Sequence, residues 1–202
     1  MSDLDNDLRL HELAHRFKNL LTIVQAIVSQ TLKSTVSIEE AGAAIGARLA
    51  TLNRTVEQLL DADWGAARLD ALVQNALVNF SPYAGRWQCS GPPVDLGPSS
   101  AMTLMLVLNE LATNAVKYGA FSNEVGTVKL TWQIVDIGDA TQLWLQWTER
   151  GGPPVRKPER QGFGSRLIST AAGRSLRGRA EIDFPQSGVT WTLVAPLAAL
   201  GA

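Results

Sequence analysis

Glu110, Asn114 and Lys117 stand at i, i+4 and i+7 in the stretch from Leu106 to Gly119. On a helix that spacing lines a carboxylate, an amide and an ammonium along one face. Leu104, Leu108, Leu111 and Ala115 recur at three- and four-residue intervals over the same region and supply a separate apolar stripe. Three such polar groups on a half-buried helix are costly unless a ligand uses them. A nucleotide with its Mg2+ would use all three.

Two glycine-bearing segments offer matching phosphate chemistry. Trp147-Thr-Glu-Arg-Gly-Gly-Pro153 follows an expected strand, and Gly162-Phe-Gly-Ser-Arg-Leu167 precedes an expected helix. Gly-x-Gly at a helix start turns backbone N–H groups toward an anion and lets phosphate approach closely. Residues 153–161 between them are polar and basic, with Arg156, Lys157 and Arg160, and suit a lid over a phosphate site. Taken singly, each segment also reads as turn punctuation or a solvated loop.

A third group lies near the N-terminus. His11, His15 and Asn19 fall at i, i+4 and i+8, with Arg16 and Lys18 beside them. Such a row can be a solvated stripe or a metal pair, although no third ligand stands nearby. It can also be a phosphoryl acceptor, because neutral imidazole is nucleophilic near pH 7 and flanking cations stabilise a transferred anion.

These groups need rigid elements to hold them. Leu13, Phe17, Leu20, Val24 and Ile27 form a 4-3-4-3 seam, so one helix is expected from about Leu4 to Leu32. Ser37 followed by Glu39 and Glu40 reads as the start of a second helix running to about Leu60, with Ile45, Leu49, Leu52, Val56 and Leu59 repeating the spacing. An antiparallel hairpin results, which either pairs with a second hairpin as a four-helix bundle or docks on the rest of the chain. The pattern breaks near Asp63 to Ala66, dividing the chain into residues 1–64 and 65–202. Beyond the break a helix is expected from Ala67 to about Phe80, then strands at 86–90, 94–96, 128–135 and 142–148, a helix at 163–176 and a closing hairpin at 179–184 and 189–195. The expected fold class is α+β: a helical hairpin followed by an α/β sandwich with a mixed, largely antiparallel sheet and helices on one face.

The 202 residues are 46% hydrophobic and 18% charged, enough for a packed core, and the net charge of -1 gives no bulk drive toward nucleic acid or a membrane surface. The single cysteine, Cys89, excludes an internal disulfide. No apolar run approaches the ~20 residues that cross a bilayer. The acidic Met1-Ser-Asp-Leu-Asp-Asn-Asp is unlike a signal peptide, so a cytoplasmic protein without membrane insertion is expected.

Taken together, His15-Arg-Phe-Lys-Asn19, Asn109-Glu-Leu-Ala-Thr-Asn-Ala-Val-Lys-Tyr118, Trp147-Thr-Glu-Arg-Gly-Gly-Pro153 and Gly162-Phe-Gly-Ser165 resemble the HWE family of bacterial sensor histidine kinases. That family joins a HisKA-like helical hairpin to a GHKL, or Bergerat-type, ATP-binding domain. The resemblance spans nearly the whole chain. It implies that His15 is the phosphorylated residue, Glu110 the carboxylate near the γ-phosphate and Asn114 a Mg2+ ligand. Lys117 would contact phosphate and Tyr118 would pack near the nucleotide. Glu149 would accept a hydrogen bond from the adenine amino group, while Gly151, Gly162, Gly164 and Ser165 would shape the lid hinges and phosphate loop. One position departs: the family's eponymous histidine precedes the glutamate, where this chain has Asn109, which hydrogen-bonds but does not titrate. His11-Glu-Leu13 looks like the acceptor motif of commoner histidine kinases, but His-Arg-x-Lys-Asn continues from His15.

The implied function is autophosphorylation of His15 by ATP·Mg2+ and transfer to an Asp of a response-regulator receiver domain. Glu12 or Glu110 would take the imidazole proton. The twin seams imply a homodimer, and a hairpin beginning near Leu4 leaves signal input to a separate sensor protein or domain. Alternatives are a histidine phosphotransfer protein with a vestigial ATP domain, or a GHKL-type ATPase or serine kinase.

Overall fold

The Ser37 hydroxyl accepts the Glu40 N–H at 3.1 Å and starts helix α1 (Ile38–Asp61), with Glu39 and Glu40 in its first turn, as the sequence pattern predicts. The computed structural model describes residues 20–21, 24–25, 27–29, 31–32, 37–61, 67–78, 80–138, 140–155 and 167–201. The described residues between 20 and 32 are helical. His11, His15, Asn19, the expected break at 62–66, and Arg156 through Arg166 lie outside the described residues.

The hairpin docks on the rest of the chain. Leu20, Val24, Ile27, Leu49, Leu52 and Val56, all members of the expected seams, pack into the same core as Leu104 and Leu108. Among the described residues the seam is therefore used within the chain. Fully burying each such leucine stabilises by roughly 1.5–3 kcal/mol.

Strand β1 (Ala67–Arg68) pairs antiparallel with β3 (Asp95–Leu96), and helix α2 (Leu69–Val78) begins immediately after it. This corrects one expectation, since Ala67 belongs to a strand; the strand expected at 94–96 is present as Asp95–Leu96, in a two-stranded sheet of its own with β1. The Leu69 N–H donates to the Val94 carbonyl at 2.9 Å, so the chain is extended until that bond is made. A 3-10 turn (Ser81–Arg86) leads into β2 (Trp87–Ser90). Helix α3 (Pro98–Lys117) starts with Pro at its first turn. Strands β4 (Thr127–Ile137) and β5 (Ala140–Arg150) form a long hairpin. A π-helical turn (Leu167–Ala171), α4 (Ala172–Ser175), β6 (Arg179–Asp183), β7 (Thr190–Pro196) and α5 (Leu197–Leu200) complete the described chain.

The main sheet has the order β2-β4-β5-β7-β6. Only β2 and β4 run parallel; the other neighbours are antiparallel, giving the mixed, largely antiparallel sheet expected. Register places Cys89, Leu130, Trp147, Trp191 and Ile182 in one row across the strands. Leu130, Trp147 and Trp191 are wholly buried beneath the helices. The alternation in β4 buries Val128, Leu130 and Trp132 but leaves Ile134 41% exposed, because the hairpin projects past β2. Helix α3 is buried almost continuously from Ser100 to Leu108, since the core reaches it from the sheet and from α1. Among the described residues no helix is long and apolar enough to cross a membrane.

Candidate nucleotide and phosphoryl-transfer site

The 3.6-residue period of α3 that buries Leu104, Leu108, Leu111 and Ala115 turns Glu110, Asn114 and Lys117 along another side. Exposure rises along that side. Glu110 is 5% exposed, Asn114 is half-buried, and Lys117 and Tyr118 are exposed. Asn109, the departure from the family pattern, is half-buried beside them.

Glu110 is engaged by the helical hairpin. Arg48 on α1 donates from Nε to Glu110 Oε1 and from Nη2 to Oε2, the latter at 3.0 Å, a bidentate fork on a carboxylate. Its remaining nitrogen, Nη1, donates to Thr31 Oγ1 at 2.9 Å, and that hydroxyl donates to the Ile27 carbonyl at 2.5 Å. Asn114 makes no side-chain hydrogen bond among the described residues. Its carbonyl accepts the N–H groups of Tyr118 and Gly119 at 2.8 and 3.1 Å and closes the helix.

Beyond the helix end lies the second acid. Glu149 has the same strand parity as Leu143, Leu145 and Trp147, so β5 carries it inward, where it is 2% exposed. Its Oε2 accepts the Ala120 N–H at 2.8 Å and its Oε1 accepts the Trp147 Nε1–H at 3.1 Å. Burial pushes its carboxyl above the usual carboxylate range, and these two donors pull in the opposite direction. A Cβ at Gly119 would run into Glu149 Oε2, so the close approach needs glycine there.

Gly151 adopts φ +73°, a left-handed conformation. It is tied to the turn after α3: Asn123 Nδ2 donates to the Gly151 carbonyl at 2.8 Å while Asn123 Oδ1 accepts the Val125 and Gly126 N–H groups. Arg86 donates to the carbonyls of Asn123 and Gly126 at 2.6 and 3.2 Å, and its guanidinium stacks on the rings of Tyr83 and Phe121. Sequence reasoning missed Arg48, Arg86 and Asn123. The Asn-x-x-Gly spacing at 123–126 is a side-chain-capped turn signal that could have found the last.

The structure thus brings Glu110, Asn114, Lys117 and Tyr118 onto one helix end, with Glu149 and Gly151 on the strand end beside it. His15, Gly162, Gly164 and Ser165 lie outside the described residues. No three His, Cys, Asp or Glu side chains converge on a metal position among the described residues. An oxygen-loving cation at Asn114 would therefore take much of its shell from phosphate and water, as Mg2+ commonly does.

A helical layer on a mixed five-stranded sheet is consistent with the α+β GHKL fold. The histidine kinase domain of the Erythrobacter litoralis EL346 blue-light activated histidine kinase superposes with a TM-score of 0.60 at 17% identity, covering 89% of this chain and 96% of that one. The crystal structure of histidine kinase ThkA in complex with response regulator protein TrrA gives a TM-score of 0.50 at 17% identity, over 95% of this chain and 61% of that one. Both likenesses concern the fold. In sequence, a blue-light-activated histidine kinase of Brucella ovis is 37% identical over 187 residues, 92% of this chain. Residues 12–93 match the family model described as HWE histidine kinase, and together with these relatives the match supports an HWE-type histidine kinase. It spans 38% of the length of the Brucella ovis protein.

Proposed function

We propose that the chain is an ATP-dependent protein-histidine kinase of a two-component system, which autophosphorylates His15 and passes the phosphoryl group to an Asp of a receiver domain. The observation that carries the reading is the bond between Arg48 and Glu110. It puts the carboxylate expected beside the transferable phosphate against the helical unit whose sequence bears the acceptor histidine.

ATP is the substrate and supplies the phosphoryl group; Mg2+, when bound, neutralises charge on it. Asn114 would offer its side-chain oxygen to the cation and Lys117 its ammonium to phosphate. Both side chains are accessible, and Asn114 has no competing side-chain partner among the described residues. Each oxygen of Glu149 keeps a lone pair beyond the donor it already holds, which fits it to receive an adenine amino group. Tyr118 would cover the nucleotide, and Gly151, Gly162, Gly164 and Ser165 would shape the loop around its phosphates. Glu12 or Glu110 would hold the imidazole proton as His15 attacks.

The division at residues 64 and 65 separates acceptor from donor in this reading. The response regulator TrrA held by ThkA supports a receiver-domain partner. A cytoplasmic location is part of this reading, since a receiver domain and ATP would be met there. A homodimer through the hairpin would draw on the seam residues that here pack within the chain, and light scattering distinguishes the two arrangements.

The test is incubation with γ-labelled ATP. The wild-type chain takes up acid-labile, base-stable label and His15→Gln takes up none. Label retained in His15→Gln refutes the assignment and favours a serine kinase. ATP bound without any label in the wild type favours the ATPase, and no ATP binding at all favours a phosphotransfer protein.

A further inference from the structure

Among the described residues, Arg48 holds a carboxylate and a hydroxyl from different parts of the chain. Its three guanidinium nitrogens reach both oxygens of Glu110 on α3 and Thr31 Oγ1 among the helical residues before α1. The side chains of Arg48 and Glu110 are only 17% and 7% exposed. Both Glu110 oxygens face the guanidinium and little of the side chain is left exposed beside it, so an incoming imidazole or a phosphate-bound cation meets them freely once Arg48 has moved.

Resting on the kinase reading above, we propose that Arg48 is a positioning residue that acts as a latch: it fastens α1 onto α3 and, while fastened, withholds Glu110 from the phosphoryl-transfer site. The pair is suited to this by its energetics. A buried ion pair with good geometry roughly balances the cost of desolvating its charges, so it opens without a large penalty when both partners find new ones. Removing one partner alone is different. It strands a charge in a poorly hydrated place, which the chain relieves by lifting α1 and letting water reach Glu110. Thr31 is the secondary catch. Its hydroxyl fixes the guanidinium plane and couples the latch to the helical residues that follow the acceptor histidine in sequence.

The experiment compares wild type, Arg48→Gln and Thr31→Val by two measurements on the whole chain. The first is hydrogen–deuterium exchange over residues 38–61 without nucleotide, and the second is the initial rate of labelling from γ-labelled ATP. The latch predicts that Arg48→Gln exchanges at least about tenfold faster in α1 and labels about threefold faster or more. Thr31→Val should move both readouts in the same direction by less. A merely structural role would lower the labelling rate as exchange rises, and that result overturns the withholding role. Exchange within about twofold of wild type in Arg48→Gln overturns the latch. Should Arg48→Gln lose its helical signal, Thr31→Val decides: both readouts raised support the latch, and either one unchanged or lowered overturns it. Should no chain take up label, the kinase reading falls, and exchange alone decides whether Arg48 fastens α1.

Discussion

Replacing Glu149 with Gln tests how the buried acid is held. The carboxylate accepts the Ala120 N–H at 2.8 Å and the Trp147 Nε1–H at 3.1 Å, one on each oxygen. Gln keeps the shape but has one acceptor oxygen, so its NH2 must face one of the two donors. A buried donor without an acceptor costs about 1–3 kcal/mol. The charge acts in the other direction. Burial raises the folded-state pKa of Glu149 above its ordinary 4.5, so the folded state binds the proton more tightly than the unfolded state. That contribution is fully present below pH 4.5 and is lost as pH rises through the folded-state value. Gln does not titrate, and every other acid is common to both proteins. Wild type should therefore exceed Glu149→Gln by about 1–3 kcal/mol near pH 4, and the gap should narrow toward neutral pH. Urea unfolding followed by circular dichroism at a series of pH values measures it. A gap that stays constant or widens as pH rises would show that Glu149 is not a buried carboxyl held as described.

Two further substitutions probe neighbouring parts of the site. If Asn114 holds Mg2+ as proposed, Asn114→Ala should lower labelling by about 10–100-fold or more; its thermal transition should stay that of wild type, because the half-buried amide makes no side-chain hydrogen bond among the described residues. Gly126→Ala drives a Cβ into the Ala120 carbonyl, a backbone atom that cannot swing aside, and should cost about 1–3 kcal/mol in a thermal or urea transition.

What could be read in the sequence follows the reach of periodicity. Helix α3 was legible because its apolar residues recur at the helical interval and all four of the predicted stripe are buried. Strand β4 was legible because Val128, Leu130, Trp132 and Ile134 alternate with polar residues, and β5 because its run of large apolar residues follows a turn. Two-residue strands have no period, so Ala67–Arg68 was absorbed into the helix that follows, and the strand at Asp95–Leu96 carried no sign of the strand it pairs with. Glu149 could be assigned a nucleotide role by resemblance, whereas its near-complete burial follows from strand parity with Trp147. The Arg48–Glu110 pair joins positions 62 residues apart. An arginine on the polar side of an amphipathic helix reads as a solvated charge until the helix it docks against is known.

The graded exposure of α3 adds a direction that the sequence alone lacks. Glu110 and Lys117 are seven residues apart, roughly 10 Å along the axis. The Glu110 end is closed by the hairpin through Arg48, and the Lys117 end opens beside Gly119, Glu149 and Gly151. A ligand lying along this side therefore meets two unlike ends: a buried sheet carboxyl at one and a cation-held carboxylate from the docked helix at the other. Reversing an adenine nucleotide would leave its phosphates against a buried acid that has no cation among its hydrogen-bond partners. The proposed orientation, with the base at Glu149 and the terminal phosphate toward Glu110, would avoid that conflict. It would also bring the terminal phosphate toward Arg48, so occupancy of the site and fastening of α1 would compete for the same pair of charges.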